Sequence, residues 1–258
     1  MTIFSSQILE MVEFAAELIR KAHHTVFLTG AGFSTPSGIP DFRSEGTGLW
    51  SRDEPLEVAA LATFRTHPEH FYAWFRELAG KILSAKPNAA HYALAQLEQK
   101  GYLQAILTQN IDLLHEKAGS HHVAELHGTL RTLSCTQCFR QVGSQDYFAG
   151  FIERGAIPHC PACGGLLKPD VILFGEELPY KPWLEAQREV LACDLMIVAG
   201  SSLEVLPVAN LPMRAVEHGA HLVIINQTPT YLNVRADLYL SEDLVGLVPL
   251  IVEQVLHD

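Results

Sequence analysis

The apolar positions of the chain keep two rhythms that alternate along its length. Over residues 7–22, Ile8, Val12, Ala15, Leu18, Ile19 and Ala22 recur at helical spacing, which predicts an amphipathic helix. It leads into Thr25–Thr29, where β-branched and aromatic residues dominate and a buried strand is expected. Within 44–86 a second helical pattern is clearest at Phe71, Trp74, Phe75, Leu78 and Ile82, with Pro68 suited to a first turn. The spacing assigns these side chains to the core. Pro87 and Asn88 open a further helix through Tyr92, Leu94 and Leu97, stopped at Lys100-Gly101. Strands are expected at Ala105–Thr108, Leu195–Ala199 and His221–Ile225, and a last helix over 244–256. Strands that alternate with helices predict an α/β fold with a doubly wound, mostly parallel sheet.

Each of these strands ends in small or polar residues. Thr29 runs into Gly30-Ala31-Gly32, Thr108 into Gln109-Asn110-Ile111-Asp112, Ala199 into Gly200-Ser201-Ser202, and Ile225 into Asn226. The carboxyl ends of strands are where an α/β sheet binds its ligands. Gly-Ala-Gly after a strand lets backbone N–H groups approach a phosphate, although an ordinary tight turn has the same residues. The dinucleotide fingerprint itself fails, because Thr35 stands where its third glycine belongs. The extension through Gly38 and Pro40 instead carries Asp41, Phe42 and Arg43 into a loop beside the phosphates.

Residues 132–167 break the alternation. Cys135-x-x-Cys138 and Cys160-x-x-Cys163, twenty-one residues apart, read as two zinc knuckles. Four thiolates make a closed tetrahedral site, which is structural, and metal binding would couple to folding of so small a segment. A redox pair is the alternative, but it would sit near a βαβ start rather than in an insert. Cys193, ahead of a strand, is read as a buried thiol.

Composition adds bounds. The chain has 258 residues, 48% hydrophobic and 18% charged, enough for one large α/β domain or a large and a small one. A formal net charge of −11 speaks against direct nucleic-acid binding and is compatible with cationic, lysine-rich partners. The apolar stretch around 195–212 is broken by Ser201, Ser202 and Glu204, so no membrane span is expected. No basic-then-apolar leader is visible at the start, and a cytoplasmic, reducing location without disulfides is the expectation.

Singly, these features are modest. Leu126-His127-Gly128 is a lone histidine, and the amides and serines after the strands could be turns and caps. In succession, GAGFSTPSGIPDFR, TQNIDLLH, ELHG, the cysteine knuckles, KPDVILFGE, GSSLEVLP and IIN resemble the sirtuins, the NAD-dependent protein deacylases, from about residue 26 to the C-terminal strand. The resemblance implies a Rossmann-like domain formed by 1–44, 86–131 and 168–258, with a helical insert (45–85) and a zinc-binding module (132–167) joined as a smaller domain. It implies NAD with its pyrophosphate at Gly30, Ala31, Gly32 and Thr35, its adenosine near Gly200, Ser201, Ser202, Asn226 and Leu244, and Ser34 among the cofactor contacts. Asp112 and the Ile111 backbone would take the nicotinamide carboxamide in a pocket closed by Phe42.

The same resemblance makes His127 the base that activates a ribose hydroxyl, a role suited to a side chain titrating near neutrality. Asn110, beside Gln109, would order the ribose or a water, Arg43 would steady the phosphates or the loop, and zinc would stay out of the chemistry. Acyl-lysine proteins would bind as extended peptides between Val171–Glu176 and Leu203–Val205, with Val171 and Phe174 walling the lysine tunnel beside Gly175. FGEELP could also be only a loop. Tyr72 falls at the position of a tyrosine, and Phe75 at that of an arginine, which in one branch together hold acidic acyl groups. Arg76 lies about 100° round the helix from Phe75, so a bias against acidic acyl chains is expected. Two other functions stay open: an NAD glycohydrolase or mono-ADP-ribosyltransferase, and a non-catalytic NAD or ADP-ribose sensor with a zinc ribbon.

Overall fold

β-Branched and aliphatic runs too short for helices pair side by side. The computed structural model describes residues 4–42, 46, 48–49 and 53–257. Its main sheet contains β1 (Thr25–Thr29), β2 (Ala105–Thr108), β3 (Val123–Glu125), β7 (Leu195–Ala199), β8 (His221–Ile225) and β9 (Leu238–Leu240). The order is β3-β2-β1-β7-β8-β9, and every pair is parallel. The chain works outward from β1 to β3, then returns to the other side of β1 and works outward again. That reversal opens a crevice at the carboxyl ends of β1 and β7, the switch point of a doubly wound sheet.

Side chains alternate across the sheet. On one face Phe27, Ile106, Ile197 and Val223 pack with α1 (Ser6–Lys21), α5 (Ala89–Gln99) and α10 (Leu244–His257). On the other, Val26, Leu107, Val198 and Ile224 meet α8 (Tyr180–Ala192) and α9 (Leu211–Glu217). Cys193 is buried, its thiol donating to Val190 O at 3.3 Å, and burial pushes its pKa up to about 12.

A third core lies beside the sheet. It joins α3 (Leu61–Thr66) and α4 (Pro68–Ser84) to α7 (Gln145–Arg154) and an antiparallel sheet of β4 (Gly128–Cys135), β5 (Gln141–Gly143) and β6 (Leu167–Val171) in the order β5-β4-β6. The single helical pattern read over 44–86 is thus α2 (Pro55–Val58), α3 and α4. Phe71 and Phe75 stack at 5.1 Å, and Tyr72 meets Phe151 of α7 edge-on at 5.3 Å.

Tyr72 corrects an expectation. Its side chain is buried toward β6, with the hydroxyl donating to Leu167 O, so it belongs to the joint between α4 and the small sheet and not to an acyl pocket. Arg76 donates from Nε to Ile152 O and from Nη2 to Glu153 O, both at 2.8 Å, at the C-terminal end of α7. Cationic donors there satisfy carbonyls that a helix leaves open.

The N-terminus of α5 ties the third core to the main sheet. Asn88 caps it, accepting from Ala90 N at 3.0 Å and His91 N at 3.3 Å, while its own N–H donates to His91 Nδ1 at 3.3 Å. His91 lies 4.8 Å from the ring of His115, on α6 (Leu114–Lys117), and Phe33 packs against both. Burial lowers the His91 pKa to about 3; burial, then the His91 charge, puts His115 well below its ordinary value.

Both rings are therefore neutral in the folded chain, whereas unfolded histidine takes up a proton below about pH 6.5. The folded pKa values are depressed, so this stability is complete above pH about 6.5 and lost as pH falls, at about 1.4 kcal/mol per pH unit for each ring. Urea midpoints of His115→Phe are expected to fall less steeply than those of the unsubstituted chain between about pH 6 and 4, by about one proton's worth of slope. Identical slopes would contradict neutral burial of His115.

Candidate functional site

Two glycine turns form the floor of the crevice. After β1, Ala31–Phe33 and Thr35–Ser37 each make one turn of 3-10 helix, ending at Gly38 in the left-handed region, φ 88°. Gly30 N–H donates to Ala199 O at 3.2 Å and Gly32 N–H to Gly200 O at 2.9 Å, so the β1 and β7 turns meet backbone to backbone. A Cβ on Gly30 would lie 2.8 Å from Gly200 O, and one on Gly200, itself at φ 64°, 2.4 Å from Phe33 N. Only glycine permits that approach.

The polar residues after β2 stitch onto these turns. Asn110 Nδ2 donates to Gly30 O at 3.0 Å and Ser34 Oγ at 3.1 Å, and Gln109 Nε2 donates to Ser201 Oγ at 2.8 Å. Asp112 accepts from Ser34 Oγ at 2.7 Å and from Leu114 N at 2.9 Å. Burial raises its pKa, and the two donors oppose that rise only in part. Asn88 Nδ2 donates to Phe33 O at 2.9 Å and Ser37 Oγ at 3.1 Å, bracing the β1 turn from behind.

His127 precedes β4. Its Nδ1 lies 3.1 Å from Gln109 O, and a carbonyl can only accept, so the proton sits on Nδ1 and Nε2 carries the lone pair. The next residue, Gly128, is at φ 81°, and a Cβ there would fall 2.1 Å from Asp170 O of β6. Ile172 N–H donates to His127 O at 2.9 Å. Phe174, further along the same segment, exchanges hydrogen bonds with Ala59 O (2.9 Å) and Leu61 N (3.0 Å) of the helical insert.

These groups share one cavity of about 980 Å³. Its floor includes Gly30, Ala31, Gly32, Ser34 and Thr35, and its flanks Asp41, Phe42, Gln109, Asn110, Ile111, Asp112 and His127. Gly200, Ser201, Ser202, Asn226 and Leu244 line one end; Val171, Phe174, Gly175, Glu176 and Val205 line the other. Leu203 does not: it is buried at φ 56° in the core under α8 and α9, and Glu204 and Val205 hold the rim instead. Arg43 lies outside the described residues. Among the described residues no lysine or arginine lines the cavity.

The four knuckle cysteines converge with Sγ atoms within 4.8 Å of one another, Cys135 to Cys163 at 3.5 Å and Cys138 to Cys160 at 3.7 Å. Tetrahedral zinc at about 2.3 Å from each sulfur requires spacings of about 3.8 Å, so the donor set fits that ion. The Cys138 and Gln137 amides donate to Cys135 Sγ and hold its thiol down to about 6.

A model of the Sir2 family matches residues 30–207. The chain belongs to the Sir2 family. It is 43% identical over 242 residues to NAD-dependent protein deacylase 2 of Archaeoglobus fulgidus, covering 93% of this chain and 94% of that protein. It is similar to a Sir2 structure with a deacetylated p53 peptide and 3′-O-acetyl ADP-ribose (TM-score 0.88, 40% identity, 95% of this chain and 98% of that one). A second such structure, Sir2Tm bound to a propionylated peptide, gives a TM-score of 0.84 at 40% identity over the same shares.

Several cavity residues of this Sir2 chain escaped the sequence reading. Phe71, Trp74, Leu78 and Ile82 were assigned to the core by their spacing, yet the same stripe lines the cavity together with Phe75, which the resemblance had placed at the acyl end. Periodicity marks a face turned from water and cannot tell packed core from ligand wall. Tyr180 and Trp183 come from α8, a helix that buries only Ala186 and Val190 and so shows little pattern. Ile172 falls within the Val171–Glu176 segment expected to dock the peptide, and it lines the cavity with Val171.

Because Cys135 and Cys160 are buried in the same core as the small sheet and α7, Cys135→Ser is expected to lose metal and lower the melting temperature of the whole chain. Metal analysis of purified protein should give close to one zinc per chain before substitution. Active, equally stable protein with far less metal would overturn the structural role.

Proposed function

We infer that this chain is an NAD-dependent protein-lysine deacetylase, transferring the acyl group from lysine to ADP-ribose with release of nicotinamide. The observation that carries the reading is His127: its Nδ1 is tied to Gln109 O, and it lines the same cavity as Ser34, Asn110 and Asp112. The names borne by the Sir2 relatives support it.

In this reading the Gly30–Thr35 turn seats the NAD pyrophosphate, and Gly200 to Ser202, Asn226 and Leu244 take the adenosine. Asp112 and Ile111 take the nicotinamide carboxamide, with Phe42 closing the pocket. Bound NAD would supply the ribose carbon that the acyl oxygen attacks as the bond to nicotinamide breaks. His127 Nε2 removes a proton from a ribose hydroxyl, and Asn110 orders that ribose or a water. The peptide lies extended between the Val171–Glu176 segment and the Glu204–Val205 rim. Zinc, held by Cys135, Cys138, Cys160 and Cys163, keeps the small sheet in shape.

No helix among the described residues is long and apolar enough to cross a membrane. A cytoplasmic enzyme that takes protein substrates, and neither nucleic acid nor membrane, fits the acidic charge of −11 and cysteines committed to metal.

Incubation with NAD, with and without an acetyl-lysine peptide, tests the reading by following nicotinamide and acetyl-ADP-ribose by mass. Release of both only with peptide is expected; nicotinamide release that ignores peptide would indicate a glycohydrolase. His127→Ala should retain zinc and NAD binding but lose turnover by at least about a hundredfold, the lower end for positioned acid–base catalysis.

The acyl end supports a further expectation. Phe75 is buried among Phe71, Trp74 and Leu78 on the cavity wall, where an arginine would be needed to pair a carboxylate, and Arg76 is committed to α7. A desolvated carboxylate without a partner costs about 1–3 kcal/mol or more. Succinyl-lysine should therefore be hydrolysed at least about tenfold less efficiently than acetyl-lysine on the same peptide. Equal succinyl turnover, abolished by Arg76→Ala, would contradict an apolar acyl wall.

A further inference from the structure

We propose that Lys168 and Glu176 are a positioning pair which holds the peptide-docking segment in its binding shape. The inference rests on the deacylase reading above. Lys168 lies on β6, close to the cysteine knuckles, and Glu176 ends the segment eight residues later. Their side chains are mostly buried, at 14% and 20% exposure, and Lys168 Nζ meets Glu176 Oε2 at 2.9 Å. An ammonium has three donors. The other two reach Val171 O at 2.7 Å and Pro169 O at 3.1 Å, so every N–H of Lys168 is spent inside this one loop.

Glu176 is used in the same way. The oxygen that meets Lys168 also accepts from Leu173 N at 2.8 Å, while Glu176 N–H donates to Leu173 O at 3.0 Å. Gly175, at φ 86°, supplies the left-handed step that returns the chain toward Leu173. The segment is therefore closed on itself by a buried charge pair, with Ile172 fastened outside to His127 O and Phe174 to Ala59 and Leu61. None of these bonds touches the glycine turns or Asp112.

A buried ion pair adds little net stability compared with apolar packing, but removing one partner strands the other charge. Here the stranded charge would lie in the loop that presents its backbone to the peptide. The effect should then appear in peptide affinity and leave the NAD half of the cavity alone.

The experiment is a double-mutant cycle in the full chain with zinc bound, using an acetyl-lysine peptide and NAD as the two varied substrates. Lys168→Met is expected to raise the KM for peptide by about tenfold or more, the equivalent of one charge-assisted hydrogen bond, with the KM for NAD and the zinc content unchanged. Glu176→Gln keeps an acceptor for Leu173 N–H and should raise it less. The double variant should be no worse than Lys168→Met, because the two side chains act as one unit. Hydrogen exchange of the 171–176 amides should speed up in Lys168→Met, and other segments should not. Unchanged peptide KM in Lys168→Met would overturn the proposal, as would a parallel loss of NAD affinity, zinc and peptide turnover, which would mark an ordinary folding role. An unsubstituted chain that is inactive on every acyl-lysine peptide would instead overturn the deacylase reading, and this pair's role with it.

Discussion

The contact between two glycine turns is the constraint on which the site depends. Gly30 and Gly32 meet Gly200 through backbone atoms alone, with no room for a Cβ on Gly30 or Gly200. Because β1 and β7 are neighbours whose connections leave in opposite directions, that contact closes the bottom of the crevice where the sheet reverses. Anything seated above it meets backbone dipoles, hydroxyls and carboxamides, and among the described residues no lysine or arginine. Such groups are fixed by the fold, so little reorganisation accompanies binding of an anionic ligand.

A second dependency runs through α4. Tyr72 and Arg76 face the small sheet and α7, Phe71, Trp74, Leu78 and Ile82 line the cavity, and Phe75 meets both the cavity and α7. One helix therefore links the cysteine-bearing sheet to the apolar wall opposite the polar floor. The cavity has two chemically different sides because they come from different cores, the floor from strand ends and the wall from an insert.

Much of this was legible in the sequence, and particular residues show why. The strands at Thr25–Thr29, Ala105–Thr108, Leu195–Ala199 and His221–Ile225 agree with the observed ones because unbroken β-branched runs of that length are too short for helices. The polar residues after them could be read because carboxyl ends of parallel strands converge whatever the intervening chain does. β3 and β9 were not visible, since three residues at a sheet edge carry almost no pattern. Nor was α8, which rests on two small buried side chains. Tyr72 was misassigned for a different reason. A motif gives its place on the helix, but whether it faces the cavity or the small sheet depends on Leu167, nearly a hundred positions away in the chain.

Gly128 sets a limit on how such a protein can change over generations. The residue after His127 turns through the left-handed region with β6 packed against its α-carbon, so any side chain there would push the Asp170 carbonyl aside. The same strand leads directly into the segment tied by Ile172 to His127 and by Phe174 to the helical insert. His127 and the edge facing it cannot drift independently: a step that moves one strand moves both. Variation in substrate preference is thereby channelled to the outer rim and the insert wall, where side chains can be exchanged without touching this junction.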